Sequence, residues 1–179
     1  MKPRGPLMIE HRLIEKMLDI VKKQSYIIGV QDKVDPVFID TVVDFIKTYA
    51  DRTHHGKEED IMFKVLATKN MNAEDEKVMR ELADEHIYAR KLVTELVQAK
   101  MEYLGGRRTA LKTIKEKLDT LVKFYPVHIA KEDKLFFPST EKYLSYEEQE
   151  SMLRAFEDFD RDMIHEKYKK EVDALRAKT

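Results

Sequence analysis

A nine-residue pattern that occurs twice in the chain carries the residue types of a metal site. It first appears at residues 54–62 as HHGKEEDIM, and it returns at residues 128–136 as HIAKEDKLF. Both copies follow His-x-x-Lys-Glu-acid-x-apolar-apolar. Residues four apart in a helix point to the same side, so each copy places one imidazole beside one carboxylate. Two such pairs facing each other would make a site for two metal ions.

Apolar residues at helical spacing predict the two helices that would position the first copy. The first helix runs over about residues 7–28, with Gly29 as its expected C-cap. The second begins with Asp35 as N-cap and Pro36 at the first helical position, and it ends near Lys69. The first copy of the pattern therefore falls inside the second helix.

Two further helices are predicted around the second copy. The third runs from Asn72, its expected N-cap, to about Leu104. The fourth runs from near Thr109 to Pro138, which should end it, and Pro126 should kink it. The second copy therefore lies inside the fourth helix, as the first lies inside the second.

These helices predict an all-α fold in one domain spanning residues 1–179. We expect an up-down-up-down four-helix bundle over about residues 7–138, because short connections join amphipathic helices. Ser145 and Glu148 form a capping box for an additional C-terminal helix over about residues 146–176. This helix should pack along the outside of the bundle or mediate a dimer, which leaves both a monomer and a homodimer open.

The composition excludes several classes of protein. No residue is cysteine, which excludes disulfides, thiolate zinc sites and iron–sulfur clusters held by cysteine. The net charge of −1, with acidic and basic residues interleaved, gives no general reason to bind nucleic acid. The apolar runs are too short to span a bilayer, and the N-terminal residues lack the apolar stretch of a signal peptide. We therefore expect a cytoplasmic protein without nucleic-acid or membrane partners.

Each of the four predicted bundle helices carries a histidine on its apolar stripe, and two of them also carry a glutamate. The six residues are His11, His54, Glu58, His86, His128 and Glu132. Burying polar groups in a bundle core is costly unless they have partners. A metal-free bundle with surface His–Glu salt bridges is the alternative, but it does not explain why these pairs share stripes with Leu, Ile and Val. The pattern favours a buried metal site.

Spacing places all four histidines at one level of the bundle. Each histidine lies 18 or 19 residues along its helix from the loop that joins this helix to its hairpin partner. This distance is roughly 27–29 Å at 1.5 Å per residue. Offsets of 74 or 75 residues also relate the first half of the chain to the second. This duplication predicts a pseudo-twofold axis through the site and two metal ions, with Glu58 and Glu132 bridging them. Nitrogen and oxygen ligands without sulfur suit iron or manganese and tolerate zinc.

The order H…HxxxE…H…HxxxE, which covers about residues 7–138, resembles the hemerythrin family and more closely its HHE cation-binding branch. Leu135-Phe136-Phe137-Pro138 after the second copy belongs to the same resemblance. The resemblance implies a non-haem di-iron site, with the six residues as ligands of two iron ions.

The function that the resemblance implies is binding of a small ligand such as O₂, NO or peroxide, by a sensor, scavenger or store. The alternative is a di-iron enzyme that turns over peroxide or NO, or that assists iron–sulfur repair. The O₂-carrying hemerythrins have a second histidine four residues after the one on the third helix, and this chain has Arg90 there. We therefore do not expect reversible O₂ carriage.

Two residues are candidates for additional coordination. His55 lies about 100° around the helix from His54, so it would either reach a metal ion edge-on or hydrogen-bond a neighbouring helix. Glu15, the symmetry mate of Arg90, would either bind metal or form an ion pair with that arginine, and we favour the ion pair.

The other polar residues near the predicted site receive supporting roles. Glu10 and Glu85 precede ligands and should lie behind them or face solvent, whereas Glu59 and Asp133 should lie on the outer face. His165 should lie about ten residues below the site, too far to be a ligand. The remaining candidates, expected near the site level as gates or as core aromatics with a hydrogen-bonded hydroxyl, are Tyr88 and Tyr125.

Overall fold

The first helix, α1, spans Arg4–Gln31 in a computed structural model that describes residues 2–176, except for the side chains of 164–166 and 168–176. It continues through Gly29, so the predicted C-cap at this residue is wrong. The helix ends instead at Asp32, which adopts the left-handed conformation at φ 49°. Its inner face is buried as the periodicity predicts.

The second helical stretch contains α2 (Pro36–Phe45), two π-helical segments, π1 (Ile46–His55) and π2 (Glu58–Met62), and α3 (Phe63–Leu66). The Asp35 carboxylate accepts a hydrogen bond from the Val37 N–H at 2.9 Å, which confirms the predicted N-cap. π-Helical turns use i→i+5 hydrogen bonds and are frequent at functional sites. The first copy of the pattern lies where the helix is widened.

Helix α4 spans Ala73–Leu104, and α5 spans Ala110–Lys131. The Asn72 side chain accepts a hydrogen bond from the Asp75 N–H at 2.8 Å, which confirms the expected cap of α4. After α5 the chain continues through π3 (Glu132–Phe136) and α6 (Phe137–Thr140), so Pro138 does not end the helix. This proline lies in the first turn of α6, just after π3, whose i→i+5 turns interrupt the regular α-helical hydrogen-bond ladder before it.

The last helix, α7, spans Tyr146–Arg176. The predicted capping box before it is confirmed: the Ser145 N–H donates to Glu148 at 2.9 Å, and the Glu148 N–H donates to the Ser145 hydroxyl at 3.2 Å. Met152 and Phe156 bury the inner face of α7, and the helix packs against π1 and π2. Helix α7 therefore lies against the second helical stretch. Packing along the bundle was one of the two expectations for this helix.

The described residues form helices and no strand, which confirms the all-α prediction. Helix α1 packs against α5 and π1, while α4 packs against α2 and α5. Two apolar clusters occupy the interior, and along each long helix the predicted ligands lie between them. On α1, for example, His11 lies between Leu7 of one cluster and Ile14 of the other. Within residues 2–176, no helix is long and apolar enough to cross a membrane.

Candidate metal centre

All six predicted ligands are buried, each with at most 1% of its surface exposed. The structure brings them together in two groups of potential ligand atoms, and within each group these atoms lie within 4.8 Å of one another. The first group consists of His11, His54, Glu58 and Glu132. The second consists of His55, His86 and His128. Loop-to-ligand spacing therefore predicted correctly that the four helices present their histidines at one level.

The two glutamates connect the groups. Glu58 places Oε1 at 3.6 Å from His54 Nε2 and Oε2 at 3.4 Å from His86 Nε2. Glu132 places Oε2 at 3.1 Å from His11 Nε2 and Oε1 at 3.2 Å from His128 Nε2. Each carboxylate thus turns one oxygen toward each group, which is the arrangement that a bridging carboxylate requires.

Among the residues that the structure describes, seven buried atoms at this centre have no partner in hydrogen-bonding geometry. They are both carboxylate oxygens of Glu58 and of Glu132, and Nε2 of His55, His86 and His128. Leaving buried polar atoms unpaired costs about 1–3 kcal/mol each, and more when they are charged. Metal cations would pair with all seven, so this donor set fits a metal site.

Each of the four predicted ligand histidines presents its other ring nitrogen, Nδ1, to a carboxylate. The pairs are His54 with Glu10 at 2.9 Å, His128 with Glu85 at 2.7 Å, His11 with Asp133 at 2.7 Å, and His86 with Glu59 at 2.6 Å. Such a carboxylate keeps the proton on Nδ1, directs Nε2 toward the metal and raises its basicity. The placement of Glu10 and Glu85 behind the ligands is confirmed.

The prediction that Glu59 and Asp133 lie on the outer face is wrong. Both residues directly follow a glutamate of the site, and they reach sideways to the histidine of an adjacent helix. The acidic position conserved between the two copies of the pattern was the signal for this role. Periodicity within one helix does not predict this role, because it depends on how closely the adjacent helix packs.

Cations lie behind these four carboxylates. Lys57 pairs with Glu10, and Lys131 lies 2.5 Å from Glu85, which explains the lysine shared by both copies of the pattern. Of the other two carboxylates, Asp133 pairs with Arg12, and Glu59 lies 2.8 Å from Arg90.

These contacts set the protonation of the carboxylates. Burial raises the pKa of Glu10, but hydrogen bonds with His54 and Lys57 outweigh it, so the net pKa is lowered. The pKa of Glu59 is lowered in the same way, against its burial, by His86 and Arg90. Both carboxylates are therefore ionised acceptors.

At the buried centre the pKa values shift in both directions. Burial raises the pKa of Glu132, but the charge of His128 and the nearby imidazole of His11 outweigh it, so the net pKa is lowered. Burial, followed by the nearby charge of Glu132, raises the pKa of Glu58. Burial also lowers the pKa of His54 to about 4. Burial lowers the pKa of His11, but the nearby carboxylates of Asp133 and Glu132 outweigh burial and raise it to about 9. Two carboxylates enclosed this closely repel each other, and a metal cation between them would relieve that repulsion.

His55 lies in the site, and only 1% of its surface is exposed. The sequence left its role open. Its ring stacks on that of His86, with centroids 3.8 Å apart, and its Nδ1 lies 3.3 Å from Asp51. The residue 74 positions later, in the second copy, is Ile129, which is buried and carries no ligand atom. The two groups are therefore unequal, with three imidazoles in one and two in the other.

Glu15 lies outside the site. Its carboxylate pairs with Arg12 at 3.2 Å and its side chain is 39% exposed. Arg90 pairs instead with Asp51 and Glu59, so the predicted ion pair between Glu15 and Arg90 is wrong. The side chain of His165 lies outside the described residues.

A cavity of about 220 Å³ adjoins the three-imidazole group. Its walls include Asp51, His55, Arg90 and Tyr125. Tyr125 is buried, and among the described residues its hydroxyl has no hydrogen-bond partner, contrary to the expectation for a core aromatic. Tyr88 is 44% exposed and packs against Phe124, so it does not reach the site.

The comparison with protein families agrees with this site. The model of the hemerythrin HHE cation-binding domain matches residues 6–139 and, separately, residues 77–175. The chain therefore belongs to the hemerythrin HHE cation-binding domain family. The second match begins on α4, as a duplicated chain permits. No curated protein and no solved structure was found to match the chain.

Proposed function

We propose that this protein is a non-haem di-iron protein. Its two metal positions would be held by His11 and His54 on one side and by His55, His86 and His128 on the other, with Glu58 and Glu132 bridging. The observation that carries the proposal is that each buried glutamate turns one unpaired oxygen to each histidine group. A ligand set of nitrogen and oxygen suits iron, and manganese and zinc also fit. An up-down-up-down order of the four long helices would close the site as the spacing predicts.

The two metal positions would differ in their capacity for an additional ligand. The group with three imidazoles has His55 where the other group has Ile129. A bound metal ion at the His11–His54 position would supply an open coordination position for a small molecule. The protein would thus bind O₂, NO or peroxide as a sensor, scavenger or store, while the residues around the site exclude bulk water.

Metal analysis of protein purified without chelator tests the site directly. We expect close to two metal ions per chain in the wild type, and loss of the pair when Glu58→Gln and Glu132→Gln are combined. The matched control is Asp60→Asn, since Asp60 belongs to the same pattern but lies 58% exposed in an ion pair with Lys64. Two ions retained in the double variant would refute the bridging assignment.

Spectra of the reduced, iron-loaded protein test the ligand. Exposure to O₂ or NO should change the visible absorption in a saturable manner. A stable O₂ complex that dissociates reversibly would contradict the expectation drawn from Arg90.

An enzyme is the second candidate, favoured by the cavity beside His55. Its walls bring an unpaired phenol hydroxyl, from Tyr125, next to the three-imidazole group. This hydroxyl would donate a hydrogen bond to a substrate held there, and peroxide or NO would be turned over. Steady consumption of either, reduced at least tenfold by Tyr125→Phe, would support the enzyme, whereas stoichiometric binding alone would exclude it. The cytoplasmic location, the partners and the oligomeric state stay predictions.

A further inference from the structure

Among the described residues, the polar contacts that helix α7 makes near the duplicated site are with its first half, and the helix packs against π1 and π2. Its Phe159 lies against Gly56, so closely that a Cβ atom on this glycine would come within 2.7 Å of the phenyl ring. The neighbouring Asp160 places its two carboxylate oxygens 2.7 and 2.9 Å from Nζ of Lys57. Gly56 and Lys57 lie between His54 and Glu58, so α7 touches the helix segment that carries two of the proposed ligands.

A continuous chain of polar contacts runs from α7 to the site. Asp160 binds Lys57, Lys57 binds Glu10, and the second oxygen of Glu10 accepts the Nδ1 hydrogen of His54 at 2.9 Å. The Lys57 side chain is fully buried, so water does not replace these partners. A buried ammonium is stable only when it is paired, and here one of its two carboxylates comes from α7.

The second half of the site makes the corresponding contacts without α7. Lys131, the mate of Lys57, pairs with Glu85 at 2.5 Å and with Glu81 at 3.3 Å, both on α4. The position 75 residues before Glu81 is Pro6, which offers no carboxylate. Lys131 is also 23% exposed, so water reaches it. At the position that corresponds to Glu81 the first half therefore offers no carboxylate, and Asp160 of α7 provides the second acidic partner of Lys57 beside Glu10.

We infer that Asp160 is a positioning residue for the metal position held by His11 and His54, and that it acts through Lys57 and Glu10 on His54. This inference rests on the proposed metal site. Without Asp160, the whole charge of Lys57 would act on Glu10, which would then be a weaker acceptor for the Nδ1 hydrogen of His54. His54 would become a weaker and less firmly oriented ligand. Metal affinity at this position thus depends on the docking of the C-terminal helix.

Titration of the metal-free, full-length protein with Co²⁺ tests this inference, because its visible absorption reports the ligands of each bound ion. Removing partners behind a ligand typically weakens metal binding by about 10–100-fold. Asp160 is one residue further away, so we expect Asp160→Asn to weaken one of the two Co²⁺ ions by about three- to tenfold and to change its spectrum. Asp160→Glu, which keeps the charge, should restore most of the affinity.

Two control variants separate positioning from general stability. Glu81→Gln makes the matching change at the exposed Lys131, and it should alter neither affinity by more than about twofold. Met152→Ala removes a buried side chain of α7 in the apolar cluster that includes Phe156. It should lower the melting temperature of the metal-free protein while leaving the Co²⁺ spectrum unchanged.

The outcomes are distinguishable. Wild-type protein that binds no Co²⁺ would refute the proposed metal site itself. Wild-type protein that binds two ions, together with an Asp160→Asn variant of unchanged affinity and spectrum, would overturn the inference alone. Equal weakening of both ions, or a spectral change in Met152→Ala as large as that in Asp160→Asn, would also overturn it.

Discussion

The Nε2 atoms of His11 and His54 lie 2.8 Å apart, although the two residues come from different helices. Burial lowers the pKa of His54 to about 4, whereas the carboxylates of Asp133 and Glu132 outweigh burial and raise that of His11 to about 9, so the proton between the two nitrogens belongs to His11 and His54 accepts it. Metal–nitrogen bonds are about 2.0–2.1 Å long, so a single ion can replace that proton with small movements of both rings. The site is therefore preorganised for metal.

Metal binding should stabilise the fold, because the unfolded chain cannot assemble ligands from four helices. At free metal of 100 times its dissociation constant, one ion adds about 2.7 kcal/mol to the free energy of unfolding. For a chain of this size that raises the melting temperature by roughly 5–10 °C. Circular dichroism melts of loaded and chelator-treated protein measure the shift. The double variant at Glu58 and Glu132 serves as the control, and an equal shift in it would contradict the assignment.

The fold was largely predictable from the sequence. Caps at Asp35, Asn72 and Ser145 each have a local mechanism, and all three form as expected. Gly29 failed as a stop signal because Asp32, three residues later, takes the left-handed conformation that ends the helix, and Pro138 failed because the helical chain continues past it into α6. The π-helical turns have no sequence signature in hydrophobic periodicity, so they were not expected.

Part of the candidate site was likewise predictable from the sequence, and part was not. Residues on apolar stripes were found because burial demands partners for them, and the 74–75 residue offset related them in pairs. The surrounding charges could not be assigned from periodicity. Whether Asp133 meets a histidine or solvent depends on the lateral distance between helices, and the contact of Asp160 with Lys57 depends on how α7 docks. Neither quantity is encoded in the spacing within one helix.

Asp133→Asn and Glu59→Gln should each weaken metal binding by about 10–100-fold. Both carboxylates hold the Nδ1 hydrogen of a ligand histidine, and the amide replaces a charged acceptor with a weaker one. Competition with a chelator measures the affinities. Asp60→Asn, an exposed change in the same pattern, is the control. If both variants bound metal as tightly as this control, Asp133 and Glu59 would not support the histidines, as first expected for residues on the outer face.

His55→Ala should remove one nitrogen ligand from the three-imidazole position. We expect weaker binding of one ion by about tenfold or more, because a buried ligand is lost and a cavity is left. The cavity beside His55 gives access for free imidazole, which should restore the affinity and the Co²⁺ spectrum at millimolar concentration. Unchanged affinity in His55→Ala would show that this histidine is a core residue and not a ligand.

Ile129→His would place an imidazole at the position that corresponds to His55 in the other half of the site. The two side chains are similar in volume, Ile129 is 3% exposed, and the duplication places it where His55 stands in the other half, so we expect the new ring beside the His11–His54 position. It should fill the coordination position that the proposed function assigns to a small molecule. We expect metal affinity to be retained or increased and binding of NO or azide to the loaded protein to fall at least tenfold, as measured by visible absorption. Ile129→Leu is the matched control, since it preserves the volume without adding a ligand. Undiminished NO binding in Ile129→His, with Ile129→Leu behaving as the wild type, would mean that the open position lies on the side of His55.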